Sequence, residues 1–221
     1  MTDGTILIDK PAGLTSFGVV ARIRRVLSQK AGKKIKVGHT GTLDPFATGL
    51  MILVIGKECK NANYYTKLDK VYEATFVLGK SSTTGDPEGQ ITPDKDLSNK
   101  PTLSEVNQTL GKFIGKIKQR PPVFSAVKVD GQRAYKLARD GKEINLPLRE
   151  VEVYSLDLID YKYPNLKIRA HVSSGTYIRS LAVDIGDSLG VGAYCSQLRR
   201  TDISRWKVGQ AQTLTDFGID N

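Results

Sequence analysis

Apolar residues along this chain fall into two spacings, and the elements follow from which spacing holds where. Thr5-Ile6-Leu7-Ile8 and Leu50-Met51-Ile52-Leu53-Val54-Ile55 are short unbroken apolar stretches that read as strands, the second buried. Between them, Val19, Val20, Ile23, Val26 and Leu27 recur at helical spacing with Arg22, Arg24 and Arg25 interleaved. That predicts an amphipathic surface helix from Ser16, its N-cap after the Lys10-Pro11-Ala12-Gly13 turn, to about Gln29. Val71–Leu78 is β-branched and aromatic, a strand that carries Tyr72. Gly79–Lys100, with Gly85, Pro87, Gly89 and Pro93, reads mostly as loop, and Thr102–Phe113 as a capped helix with Leu103, Val106, Leu110 and Phe113 on one face. Pro121-Pro122 separates it from a strand over Val123–Val129 that Asp130-Gly131 turns over, followed by a short helix at Arg133–Arg139 closed by Gly141. Val151–Tyr163 and Leu166–Val172 alternate as paired strands do. Ser173-Ser174-Gly175 then enters a helix reaching about Leu189, with Leu181, Ala182, Ile185 and Leu189 inward and Gly190 as its stop, and the rest reads as short strands and loops.

Strands outnumber helices without a βαβ rhythm, so the fold class is α+β with a mixed sheet. A chain of 221 residues holds one sizeable domain or two small ones, with 39% hydrophobic and 25% charged residues, as in soluble globular proteins. No apolar run nears the ~18 residues of a membrane span, and Met1-Thr2-Asp3-Gly4 carries no basic segment ahead of an apolar one. The expectation is a cytoplasmic protein with no membrane partner. Cys59 and Cys195 lack CxxC spacing, and a four-ligand zinc site would need both of them plus His39 and His171, so free thiols are the simpler account. Charge changes the picture more: 33 Lys+Arg against 23 Asp+Glu give +10, which favours a polyanionic partner and salt-sensitive binding, with a solvated basic face as the plain alternative. The densest basic stretch is the first helix together with Lys30, Lys33, Lys34 and Lys36.

Candidate chemistry concentrates at Val37–Met51. Asp44 stands among Gly38, Gly41, Gly49 and several hydroxyl residues, and Pro45 biases the aspartate away from helical geometry. Such a loop, anchored on the apolar run that follows, can aim one carboxylate into a cleft; the plain alternative is an Asp-Pro turn closing a connection. The segment Gly38-His39-Thr40-Gly41-Thr42-Leu43-Asp44-Pro45, with Ala47-Thr48-Gly49-Leu50, resembles the signature of the bacterial tRNA pseudouridine-55 synthases, the TruB family. Further blocks of that family recur in order at Leu7–Ser16, Lys70–Ala74, Gln119–Lys128 and Ser173–Leu181, so the resemblance covers nearly the whole chain.

The resemblance implies the pseudouridine synthase fold over 1–221 and isomerisation of uridine 55 in the T-loop of tRNA. The target base would be flipped out of its stack, and its bond to the sugar broken and remade through carbon 5. It implies Asp44 as the catalytic carboxylate, Arg179 as the cation that pairs with it, and Tyr72 as the ring that stacks on uracil and a candidate to take the carbon-5 proton. Tyr177 and Leu198 would line the uracil pocket, and His39 would enter the RNA loop in place of the extruded nucleotide. Lys10-Pro11 would support the Asp44 loop, and Thr84–Lys100 would lie against the RNA. No cofactor, metal or guide RNA is expected; the partner is the T-arm of tRNA, and the protein is expected to be a monomer. Family members usually carry a small C-terminal domain, often of the PUA type, which is not recognisable before Asn221. Two other classes of function compete: a catalytically silent tRNA-binding or tRNA-folding protein, and a glycosidic-bond hydrolase. The intact Asp44, Tyr72 and Arg179 disfavour the first, and the lack of a second carboxylate in a comparable motif disfavours the second.

Overall fold

The apolar run at Leu50–Ile55 is the spine of the first half of the fold in the computed structural model, which describes residues 2–93, 100–125, 127–129, 132–134, 137 and 146–219. In chain order the elements are β1 (Gly4–Lys10), α1 (Ser16–Ala31), β2 (Val37–His39), β3 (Thr48–Ile55), α2 (Ala62–Thr66), β4 (Lys70–Leu78), β5 (Lys80–Ser82), β6 (Ile91–Pro93), α3 (Leu103–Lys112), β7 (Gly115–Gln119), β8 (Lys128–Val129), β9 (Gln132–Arg133), β10 (Arg149–Lys162), β11 (Asn165–Val172), α4 (Ile178–Ser188), β12 (Ala193–Ile203) and β13 (Trp206–Lys207). They gather into two compact units, Met1–Glu73 with Leu198–Asn221, and Ala74–Gln197, so β4 and β12 each contribute residues to both. The architecture is α+β with a mixed sheet, as the sequence predicts.

In the first unit β3 pairs antiparallel with β1 from Gly4↔Ile55 to Lys10↔Gly49 and with β2 at Val37↔Ile55 through His39↔Leu53. The Arg199-Arg200 step of β12 runs parallel to Thr48-Gly49. Every residue of β3 after Thr48 is buried, which is why it reads as an unbroken apolar run: both of its faces are covered. On one, Leu50 and Ile52 pack with Ile203, Leu7, Tyr65, Leu68 and Trp206. Helix α1 buries Val19, Val20, Ile23 and Leu27. Its N-cap is Thr15, whose hydroxyl accepts from the Gly18 amide at 2.9 Å, and not Ser16, which is buried and used elsewhere.

In the second unit the strand order is β12-β4-β11-β10-β7, with β10 antiparallel to both β11 and β7. The core holds Phe76, Leu78, Val153, Ile168 and Ala170 from strands, with Val106 and Leu110 from α3 and Leu181 and Ile185 from α4. Thr102 and Glu105 form a reciprocal capping box at the start of α3, but Leu103, expected on its inner face, is 54% exposed, because the first turn projects past the covered stripe. Gly79–Lys100 is less loop-like than composition suggests, since β5 and β6 pair as a hairpin there. The strand expected over Val123–Val129 shrinks to Lys128-Val129, paired with Gln132-Arg133; Asp130 and Gly131 lie outside the described residues, as does most of the helix expected at Arg133–Arg139, whose first residue is in β9. The last helix starts at Ile178, with Ser173–Tyr177 a turn that leads into it, and β12, at eleven residues, is longer than the short strands expected after it.

One close approach sets where the Asp44 segment must sit. Gly49 has φ +106°, and a Cβ placed there would lie 2.2 Å from the Arg200 carbonyl oxygen and 2.7 Å from its nitrogen. Both the backbone angle and the space require glycine. Gly49→Ala is therefore expected to lower unfolding stability by about 3 kcal/mol or more, read from the denaturant midpoint. A shift worth less than about 1 kcal/mol would show that β3 and β12 are not in this contact.

Candidate active site

Residues 40–47 connect β2 to β3, and the segment is fastened to backbone on both sides of its aspartate. Asp44 itself opens a turn closed by the Ala47 amide donating to the Asp44 carbonyl at 3.1 Å, with Pro45 in the second position that its fixed φ favours. On one side, the Ser16 hydroxyl donates to the Leu43 carbonyl at 2.9 Å and accepts from the Leu43 amide at 2.8 Å. The Gly13 amide and the Lys10 ammonium both donate to the Pro45 carbonyl, at 2.8 and 3.2 Å, and Lys10 also donates to Pro11 at 2.7 Å. Lys10, fully buried, is thus the support that the Lys-Pro block implied. On the other side, the Arg200 guanidinium donates to the carbonyls of Leu50 at 2.7 Å and Gly41 at 3.2 Å. Thr40 closes the near end through its amide and hydroxyl, both donating to Ile52. Asp44 is half-buried in this frame, a carboxylate on a rigid turn beside solvent.

The other first-unit candidates sit on the strands that carry the frame. His39 ends β2 opposite Leu53, half-buried, one residue before the Thr40 clamp. Leu198 is two residues before Arg200 on β12, so strand alternation places both on one face; it is buried, as a pocket wall or a core residue would be. Tyr72 shares the buried face of β4 with Lys70 and Ala74. Lys70 donates to the carbonyls of Thr66, at 2.7 Å, and Leu68. Burial, and after it the nearby Arg200 cation, pushes the Lys70 amine down to about 8, while Asp69 acts against the shift.

In the second unit Arg179 and Tyr177 occupy the entry to α4. Arg179 is buried and forms an ion pair with Asp86, 2.8 Å away and equally buried. The same guanidinium donates to the carbonyls of Thr84 at 3.1 Å and Phe124 at 2.9 Å. Asp86 is itself held by the Thr84 hydroxyl and the Glu88 amide, at 2.5 and 3.0 Å. Pairing through one carboxylate and two carbonyls gives a guanidinium of fixed position. Tyr177 caps α4, and the buried amide of Gln119 grips its backbone twice, accepting from its N–H at 2.8 Å and donating to its carbonyl at 3.0 Å. Its ring packs on Val127, Ala134 and Leu146.

Sequence reading missed four supporting residues: Ser16 as a loop anchor, Arg200, Asp86 and Gln119. Only Asp86, in a Gly85-Asp86-Pro87 step that repeats the Asp-Pro pattern of Asp44, left a local signal. Among the described residues no cluster of three or more His, Cys, Asp or Glu is placed to hold a metal ion. Among the described residues no helix is long and apolar enough to cross a membrane.

Residues 24–178 match the family described as "TruB family pseudouridylate synthase (N terminal domain)". The chain is 43% identical over 216 residues to the tRNA pseudouridine synthase B of Opitutus terrae, covering 96% of this chain and 86% of that one. It is 44% identical over 213 residues to the same-named protein of Chloroherpeton thalassium, covering 96% and 88%. Among solved structures, a chain from a Cbf5-Nop10-Gar1 complex superposes with a TM-score of 0.74 at 31% identity, over 97% of this chain and 53% of that one, so this chain spans about half its length. With the family match running through the Asp44 loop to the Tyr177 cap, and with relatives of this identity matched along most of their length, the chain belongs to the TruB family of pseudouridylate synthases.

Proposed function

We propose that this chain isomerises uridine to pseudouridine in tRNA, at position 55 of the T-loop, as a cytoplasmic monomer without cofactor or guide RNA, and that 1–221 acts as one catalytic domain. The reading is supported by the relatives' name, tRNA pseudouridine synthase B, and by one observation above others: a half-buried aspartate on a turn whose two flanks are hydrogen-bonded in place by Ser16, Lys10 and Arg200.

The reaction needs no net redox change. The bond between uracil N1 and the ribose breaks, the base rotates, carbon 5 bonds to the ribose, and the carbon-5 proton leaves. Asp44 serves as the nucleophilic carboxylate, whether toward base or sugar, and must be ionised and aimed when the base arrives. The frame supplies the aim: a turn with both ends hydrogen-bonded loses little entropy when substrate docks. Arg179, held by Asp86, supplies a permanent positive charge that favours the ionised carboxylate. Tyr72 offers a ring face to a flipped uracil and a hydroxyl to receive the carbon-5 proton, Tyr177 and Leu198 wall the uracil pocket, and His39 fills the gap left in the RNA loop.

Three outcomes follow. With an unmodified tRNA transcript tritiated at carbon 5 of uridine, Asp44→Asn is expected to release no tritium while binding RNA within a few-fold of the parent; tritium release from the variant would remove Asp44 from the chemistry. Tyr72→Phe keeps the ring and loses the hydroxyl, so release should slow by roughly 10² to 10⁴-fold in single-turnover assays at unchanged affinity, and a full-rate variant would free the hydroxyl of any role. Asp86→Ala removes the buried carboxylate that Arg179 meets at 2.8 Å, which should cost about 3 kcal/mol in a denaturant titration.

A further inference from the structure

The stretch between Asp9 and Asp44 contains no acidic residue at all, and eight basic ones: Lys10, Arg22, Arg24, Arg25, Lys30, Lys33, Lys34 and Lys36. Most of it is α1 and the loop after it, so the charge is concentrated on one element. Among the described residues Arg24, Arg25, Lys30, Lys33 and Lys34 make no ion pair, and only Arg22 is engaged locally, through the Gly18 carbonyl at 3.3 Å. A helix face whose cations have no counter-charge in the protein has a standing attraction for a polyanion.

The same face carries an aromatic ring that folding does not use. Phe17 is 64% exposed, the highest value among the exposed large apolar residues. Its neighbour Ser16 is the residue bonded twice to Leu43, so the ring stands at the end of α1 that is fastened beside Asp44. Helical spacing puts Phe17, Ala21, Arg24, Arg25 and Ser28 in one stripe, with the buried Val19, Ile23 and Leu27 turned away from it. Phe17 and Arg25 are about 12 Å apart along the axis. The stripe continues past the helix: the Ser28 hydroxyl accepts from the Ile35 amide at 3.0 Å, which folds the Lys33-Lys34 loop back against the end of α1.

We propose that this stripe is an RNA contact surface of the protein, on which Phe17 stacks against an unpaired base next to the target nucleotide while Arg24 and Arg25 bind phosphates of the strand leading away from it. A ring beside the site followed by unpaired cations is the arrangement that single-stranded and looped RNA recognises, through a base face and then the backbone. The proposal rests on the reading of the chain as a tRNA-modifying enzyme and adds to it how the strand is held outside the pocket.

The test measures binding of an unmodified tRNA transcript to the full chain from 50 to 300 mM salt, with pseudouridine formation by the parent protein scored separately. Arg24→Gln/Arg25→Gln is expected to reduce the slope of log K against log salt by roughly 1.5, two phosphate contacts' worth. Lys162→Gln/Lys167→Gln, which removes the same charge from the β10–β11 hairpin, should leave the slope unchanged. Phe17→Ala should weaken binding roughly tenfold at constant slope, and the added indole of Phe17→Trp should be quenched when RNA is bound. Equal slope changes in the two double variants, or an indole indifferent to RNA, would overturn the proposal. A parent protein that makes no pseudouridine yet shows the slope and quenching differences would defeat the enzymatic reading and leave the surface standing.

Discussion

The structure depends on one backbone-to-backbone approach: β12 passes so close to the start of β3 that only glycine fits at position 49. That contact brings Arg200 under the 40–47 segment, where its guanidinium bonds the carbonyls of Gly41 and Leu50, on either side of Asp44. The guanidinium is 1% exposed and meets no carboxylate among the described residues. Charge-assisted bonds to carbonyls, each worth roughly 1.5–3 kcal/mol, offset the cost of keeping it from water. Without the close approach the guanidinium would not reach, and the loop would lose one of its two fastenings.

Lys70 repeats the device, a buried cation whose ammonium donates to the backbone carbonyls of Thr66 and Leu68. Using backbone acceptors has a physical consequence for a site built around one carboxylate: a neighbouring acid would neutralise the cation locally, whereas a carbonyl fixes its position and leaves its charge in the field. Arg200 and Lys70 therefore stand in the first unit as positioned charges whose field an approaching polyanion would feel.

Arg179 follows the opposite rule. It is paired with Asp86, and that acid is itself held by Thr84 and Glu88. A guanidinium bonded to a buried carboxylate and to two backbone carbonyls is fixed in position by the fold itself. Gln119 does the same for Tyr177 by gripping its backbone and leaving the ring to pack. Second-unit candidates are thus set by residues far from them in sequence.

The amino-acid sequence by itself determined the elements whose signals are local. The 3.6 spacing of α1, the capping box of α3, the unbroken apolar run of β3 and the alternation of β10 and β11 all sit where their patterns place them, because propensity and burial act over a few residues. The Asp44 loop was legible too, through an unusual density of glycine and a fixed proline. Local signals failed where pairing decided the outcome. Ser16 looks like a cap, but with Thr15 taking that role its hydroxyl is free to reach Leu43, 27 positions away. The polar stretch after Gly79 hides a hairpin, since two three-residue strands leave no periodicity to read. Nothing near Arg200 or Gln119 in the chain marks either as a support, and Asp86 gains its meaning only when α4 brings Arg179 to it. These roles come from contacts 58 to 159 positions apart, and such contacts exist only once the sheet has set its strand order.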